Sequence, residues 1–268
     1  LRYFFHIAYH GSNYSGWQKH PDGPSVQDVL EIALSRILKR TTIVYGCGRT
    51  DAGVHASQFF FHIDADEVWD FDLIFRLNNV LPDDISIFDI IPAQNDAHAR
   101  FDAIQRGYDY YINCYKDPFL NRFSSYYPAA NWDLGKMQQA ANLLLKYNDY
   151  YGFCKTPDRN KHTLCEVSAA QLFADDTGDR LRFHISANRF LGKMVRTIIG
   201  KLMDVGSNKI SVKEFESILA YPQLAGEIKP AYPQGLYLSK VTYPYLDLPA
   251  RSSFGTILSG EAASWTKV

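Results

Sequence analysis

Residues 41–63 read T-T-I-V-Y-G-C-G-R-T-D-A-G-V-H-A-S-Q-F-F-F-H-I. Two β-rich runs, 41–47 and 57–63, enclose a segment, 48–56, that holds one acid, Asp51, between Arg49 and Gly53. β-Branched and aromatic residues bounded by glycines predict strand, loop, strand. Gly48 and Gly53 allow positive φ and close backbone approach, so the turn can be tight and can present Asp51 to a cleft instead of pairing it into a sheet. A presented carboxylate flanked by an arginine is a candidate catalyst. The competing reading is an aspartate that only closes an Asx-turn.

Working outward, Arg2–Tyr9 alternates as a strand does, and residues 10–24 form a long polar and aromatic loop. Ser25, with Asp28 three residues on, caps a helix reaching about Leu38. Val26, Leu30, Ala33, Leu34, Ile37 and Leu38 recur on one face of it. A helix over 70–79 and a strand over 84–91, after the turn Pro82-Asp83-Asp84, complete one sheet-and-helix unit. A second follows: strands over 97–103 and 106–116, a helix over 133–146, strands over 164–173 and 180–187, helices over 189–204 and 211–220, and a strand over 236–243. This order predicts an α+β protein with an N-terminal half, 1–96, carrying the Asp51 loop, a C-terminal half, 97–243, and a tail, 244–268, of unassigned role. The halves are alike in plan, with no matching sequence period.

The chain has 268 residues, 46 % hydrophobic and 21 % charged, enough to bury a full core. A formal charge of −1 and a pI near 6.8 mean that any polyanion must be held by local basic clusters. Cys47, Cys114, Cys154 and Cys165 form no C-x-x-C pair, which argues against a zinc site and against a disulfide framework. His55 and His62, seven residues apart with no third partner nearby in sequence, read as ordinary loop and strand histidines rather than metal ligands. A strand-like opening without an apolar leader, and no stretch of membrane-spanning length, give the expectation of a cytoplasmic protein with no membrane partner.

Five further segments accompany G-R-T-D-A-G-V-H-A: H-G-S-N-Y-S-G-W-Q at 10–18, H-A-R-F at 98–101, R-G-Y-D-Y-Y at 106–111, N-R-F-L-G-K-M-V-R-T-I-I-G at 188–200 and Y-P-Q-G-L-Y-L at 232–238. In this order they resemble the TruA family of tRNA pseudouridine synthases over roughly residues 2–243. Two departures stand out: Cys165 occupies a position where many members have arginine, and Gln234 replaces a common acidic residue.

The resemblance implies two ferredoxin-like halves with adjoining antiparallel sheets and a central cleft. It implies isomerisation of uridine to pseudouridine in the tRNA anticodon arm, at positions 38, 39 or 40, by a homodimer. The reaction exchanges an N1–C1′ for a C5–C1′ bond with no net redox change, so neither cofactor nor metal is expected. Asp51 would act at C1′ as charge or nucleophile. Arg196 would keep it ionised and oriented. Arg189 and Lys193, at i and i+4 from a helix carrying Arg196 at i+7, would give one basic face opposite Phe190, Met194, Ile198 and Leu202. Strand alternation puts Tyr108 and Tyr110 on one face and does not choose between them; the family's R-x-Y spacing from Arg106 selects Tyr108, to stack on uracil and act near C5. Arg49 would enter the space left by the flipped base. Met194 and Leu238 would wall the base. Phosphate contacts would come from Lys19 and His20, from Lys155, Arg159, Lys161 and His162, and from Arg189 and Lys193. Two other classes compete. A glycosidase would need a second motif carboxylate, which is missing, and a non-catalytic RNA-binding relative would lack Asp51, Tyr108 or Arg196, all of which are present.

Overall fold

The computed structural model describes residues 1–66, 68–128, 132–226, 229–251 and 266–268. In chain order the main elements are β1 (Arg2–Tyr9), α1 (Val26–Leu38), β2 (Tyr45–Gly46), β3 (His55–Asp64), α2 (Leu73–Val80), β4 (Ile85–Ala93), β5 (Gln105–Asn113) and β6 (Ser125–Tyr126). They continue with α3 (Leu134–Leu143), β7 (Val167–Ala174), β8 (Arg180–Ala187), α4 (Met194–Gly206), α5 (Val212–Ala220), β9 (Leu236–Thr242) and β10 (Thr266–Lys267). The protein is mixed α+β with antiparallel-dominated sheets, consistent with the fold that the resemblance implies.

The chain divides into two compact units, Leu1–Ile104 with Tyr237–Ser253, and Gln105–Leu236 with Phe254–Val268. In the first, β4, β1, β3 and β2 lie side by side, every pair antiparallel, the strand order of a βαββαβ ferredoxin-like unit. β9 joins the same edge of β3 in parallel through His55↔Tyr237 and Ala56↔Leu238. α1 begins as its sequence dictates: Ser25 Oγ accepts from the Asp28 N–H, and the Asp28 carboxylate accepts from the Ser25 N–H. Its apolar stripe of Val26, Leu30, Ala33 and Leu34 is buried.

β3 is buried at nine successive positions, on both faces, which no half-exposed strand would be. The second cover is the chain beyond β9. Tyr243 packs edge-on against Phe4 and Phe60, Leu248 C=O accepts from Gln58 Nε2, and Arg251 Nη2 reaches Asp89 at 2.7 Å. Residues 244–251 of the expected tail therefore line this unit; 252–265 lie outside the described residues.

The first unit's boundaries differ from the expected division at 96/97. Residues 97–104 and Tyr237–Tyr243 group with it because the Ile104 N–H donates to Thr242 C=O, Tyr243 Oη donates to Ala99 C=O, and β9 pairs with β3. The expected strand over 97–103 is a hydrogen-bonded turn, with Asp102 N–H donating to His98 C=O. The run 41–47 keeps only the two residues of β2. Glu31 Oε1 accepts from the Val44 N–H and Ser35 Oγ from the Thr42 N–H, so side chains of α1 take the donors that a strand partner would have used.

The second unit orders β10, β7, β8 and β5, all antiparallel, with β6 parallel to the end of β5. The β5–α3–β7–β8–α4 sequence repeats the ferredoxin-like plan. Its core joins Ile112, Leu172 and Phe183 of the sheet to Met137 of α3 and Ile199 and Leu202 of α4. The helix expected over 189–204 starts at Met194. Lys193, its N-cap, has φ 62°, a left-handed conformation that a continuous helix cannot contain. The proposed i, i+4, i+7 basic face therefore does not form.

Candidate functional site

The Asp51 loop is held by the 10–18 motif of the same unit. Gly16 has φ +103°, and a Cβ there would collide with Thr50 C=O and stand 3.1 Å from the Asp51 carbonyl carbon. Gly11 likewise presses its Cα on Val54 C=O, while its N–H donates to His55 Nδ1 at 2.9 Å. Backbone bonds run from Trp17 N–H to Thr50 C=O and from Gly53 N–H to Tyr14 C=O, and Tyr9 Oη meets Thr50 Oγ1 at 2.9 Å. Gly53 has φ +74° as expected; Gly48 is not among the positive-φ residues. Asp51 C=O accepts from the Val54 N–H, closing the turn, and its carboxylate is left half-buried at the tip. The turn is thus closed by the backbone of Asp51. Arg49, two residues back, is exposed.

Next to the loop, His55 meets a tilted His10 ring at 4.3 Å and stacks on Tyr237 at 4.6 Å. Leu238 sits opposite Ala56 in the β3–β9 ladder and is 1 % exposed. His62, also on β3, accepts the Ala99 N–H at Nδ1. Burial, with the Arg2 and His98 charges nearby, pulls His62 down to about 4, so it is neutral at ordinary pH. Among the described residues no group of three or more His, Cys, Asp or Glu side chains converges as metal ligands would.

In the second unit Tyr108 and Tyr110 share a face of β5 but differ in use. Tyr110 is inaccessible, and its hydroxyl bonds Ser125 Oγ at 2.8 Å and Tyr232 C=O at 2.9 Å. Tyr108 is 9 % exposed and meets Phe190 edge-on at 5.0 Å. Arg196, on the first turn of α4 and buried, donates Nε–H to Ala231 C=O at 2.6 Å, and its own carbonyl accepts from the Ala231 N–H. That pair fixes the root of the guanidinium. Met194 is fully buried at the start of the same helix.

The basic residues of this unit cluster between two segments instead of along a helix. Lys155 N–H donates to Gly192 C=O, and Arg189 Nη1 lies 3.1 Å from His162 Nε2, so both ends of the 155–162 loop meet the 189–193 segment. Lys155, Arg159, Lys161 and His162 are all exposed. In the first unit Lys19 is ion-paired with Glu31 at 2.6 Å and Asp28 at 3.5 Å, so its charge is largely compensated, and His20 lies 3.4 Å from Asp22. Cys165, where arginine was expected, is buried, and burial pushes its thiol up to about 11. One arrangement was not legible in the sequence, although the H-A-R-F motif and Arg49 were: Arg49, Arg100, Phe101, His98 and Tyr45 border a cavity of about 240 Å³ beside the loop.

A family described as tRNA pseudouridine synthase matches residues 140–244. A tRNA pseudouridine synthase A of Azobacteroides pseudotrichonymphae is 41 % identical over 91 % of this chain and 97 % of its own length. The chain belongs to the tRNA pseudouridine synthase A family. Relatives of that name from Porphyromonas gingivalis, 40 % identical, and Bacteroides fragilis, 41 % identical, each align with 91 % of this chain and with 97 % and 96 % of their own lengths. Pseudouridine synthases are isomerases, and alignment over nearly the whole length places both units of this chain within the synthase A family.

Proposed function

We propose that this protein isomerises uridine to pseudouridine in the anticodon arm of tRNA, at nucleotides 38, 39 or 40, with Asp51 as the catalytic carboxylate and Tyr108 and Arg196 completing the catalytic set. The observation that carries the reading is the Asp51 loop, whose backbone is clamped by Gly11, Gly16 and Tyr14 while its carboxylate stands half-buried at the tip. Relatives named for tRNA pseudouridine synthesis support the substrate class.

The N1–C1′ bond breaks, the freed uracil turns, C5 bonds to C1′, C5 loses its proton and N1 ends with one; no electron is gained or lost. Positive character at C1′ is met by Asp51, as a charge or as a nucleophile. Arg196 keeps that carboxylate ionised. Tyr108 stacks on the displaced base, with its phenol near C5, and Met194 and Leu238 supply apolar walls. The uridine must leave its stack first, and Arg49 fills the space it vacates. Lys155, Arg159, Lys161, His162, Arg189 and Lys193 bind phosphates, with Lys19 and His20 contributing less because acids already neighbour them. The working form is a cytoplasmic homodimer. Incubating unmodified tRNA with the protein and mapping pseudouridine tests the reading: modification at nucleotides 38–40 is expected, modification elsewhere overturns the site, and none overturns the activity.

A further inference from the structure

Four rings of the first unit form a series that the reaction above does not use. Tyr45 stacks on His62 at 5.0 Å, His62 meets His98 edge-on at 4.6 Å, and His98 lies 4.3 Å from Phe101. The two middle rings are fixed by hydrogen bonds. Ala99 N–H donates to His62 Nδ1, and the N–H groups of Arg100 and Phe101 both point to His98 Nδ1, at 3.1 and 3.4 Å. Both ends of the series are open, with Phe101 74 % and Tyr45 44 % exposed.

A lone exposed aromatic ring would call for no explanation. This one stands at the rim of the 240 Å³ cavity, whose walls also carry Arg49, Arg100, Gln18 and Gln27. The Arg100 guanidinium lies 5.7 Å from the Phe101 ring centre. A rigidly backed aromatic face beside two guanidiniums is what a single-stranded nucleotide needs, a platform for the base and donors for the phosphate. The recess is smaller than the roughly 300–1,000 Å³ of drug-sized ligand pockets, which suits one base. Its position follows from chain geometry: the Cα atoms of Arg49 and Asp51 are at most about 7.6 Å apart, two virtual bonds.

We propose that this recess is a nucleotide subsite that takes one unpaired base of the tRNA, next in the strand to the target uridine, stacked on Phe101 with its phosphate at Arg100. The inference rests on the activity proposed above and adds a second point of contact to it. Stacking of any base tolerates sequence differences, so the subsite supplies register along the strand rather than sequence choice.

The test compares Phe101→Ala, Phe101→Trp and Arg100→Gln in the full chain, with unmodified tRNA as substrate. Phe101→Ala is expected to raise KM about tenfold, the worth of one base–aromatic stack, and to leave kcat within about twofold, while Phe101→Trp restores KM. Arg100→Gln is expected to weaken binding and to lower the salt slope of affinity by about one, a slope that Phe101→Ala leaves unchanged. Unchanged melting of Phe101→Ala shows that the fold is intact. An active wild type whose KM is indifferent to Phe101→Ala, or is harmed equally by Phe101→Trp, overturns the subsite alone. A wild type that makes no pseudouridine removes the activity and the subsite with it.

Discussion

Replacing Asp51 by asparagine keeps the outline of the side chain and the Asp51 C=O to Val54 N–H turn bond, but removes the negative charge. If the carboxylate acts at C1′ in the transition state, Asp51→Asn lowers kcat by at least about 10³-fold and leaves tRNA affinity within a few-fold, because the lost interaction belongs to the transition state. Tritium release from 5-tritiated uridine in tRNA measures this directly, since C5 must lose its hydrogen. Substantial release by the variant would return Asp51 to a purely turn-forming role. His62 gives a second residue-scale prediction. Its folded-state pKa, about 4, lies below the ordinary 6.5, so the unfolded chain binds the extra proton between those values. Stability is therefore full above pH 6.5 and falls as pH drops toward 4, by up to about 3 kcal/mol from this group. His62→Asn, which keeps an acceptor for the Ala99 N–H, is expected to flatten the fall in urea midpoints over that range. Of the residue-level features, the acid–arginine–glycine pattern of the loop was legible in sequence. The difference between Tyr108 and Tyr110 was not legible from alternation, because it depends on Ser125 and Tyr232, partners far along the chain.

At the scale of elements, the loop's rigidity rests on Gly16. Its φ of +103° and its contact with Thr50 C=O leave no room for a Cβ, so Gly16→Ala is expected to cost about 2 kcal/mol or more in urea unfolding and to lower kcat by displacing Asp51. Gly135→Ala, on the first turn of α3 with only an ordinary contact to Asp133, serves as the control and is expected to be neutral or stabilising by up to about 1 kcal/mol. Loss of activity in both variants would mean that the loop is not the sensitive element. Regular periods made most elements readable, from the capping box of α1 to β8, whose alternation is complete. The errors have tertiary causes. Residues 41–44 have strand composition, but Glu31 and Ser35 bind their N–H groups. The 189–193 segment has helical spacing of its basic residues, yet Lys193 turns left-handed and Lys155 N–H engages Gly192 C=O. A propensity argument weighs only local terms, and both segments answer to distant ones.

For the molecule as a whole, a charge of −1 leaves a polyanion to be held by clusters. Sedimentation equilibrium at micromolar concentration is expected to return twice the 30.6 kDa chain mass; a monomer would remove the proposed dimer. tRNA affinity is expected to fall with salt, and neutralising Arg159 and Lys161 together to reduce the log–log slope by about two. Lys19→Gln is expected to change the slope far less, because Glu31 already holds that ammonium. The α+β plan was legible because strand and helix periods alternate cleanly; the true unit boundaries were not, since they depend on which distant strand completes which sheet.

That completion sets a schedule for the growing chain. β9 supplies Tyr237 and Leu238 opposite His55 and Ala56, four and five residues after Asp51, yet it leaves the ribosome only after residues 105–236 of the second unit have been translated. The Asp51 loop is thus translated together with β1, β2, β3 and β4, long before its last supporting strand. Until then a nascent chain carries Asp51 on an unfinished edge. Termination before Tyr237 would thus yield a product in which Asp51, Tyr108 and Arg196, the proposed catalytic residues, have all been made and the β9 edge beside β3 has not.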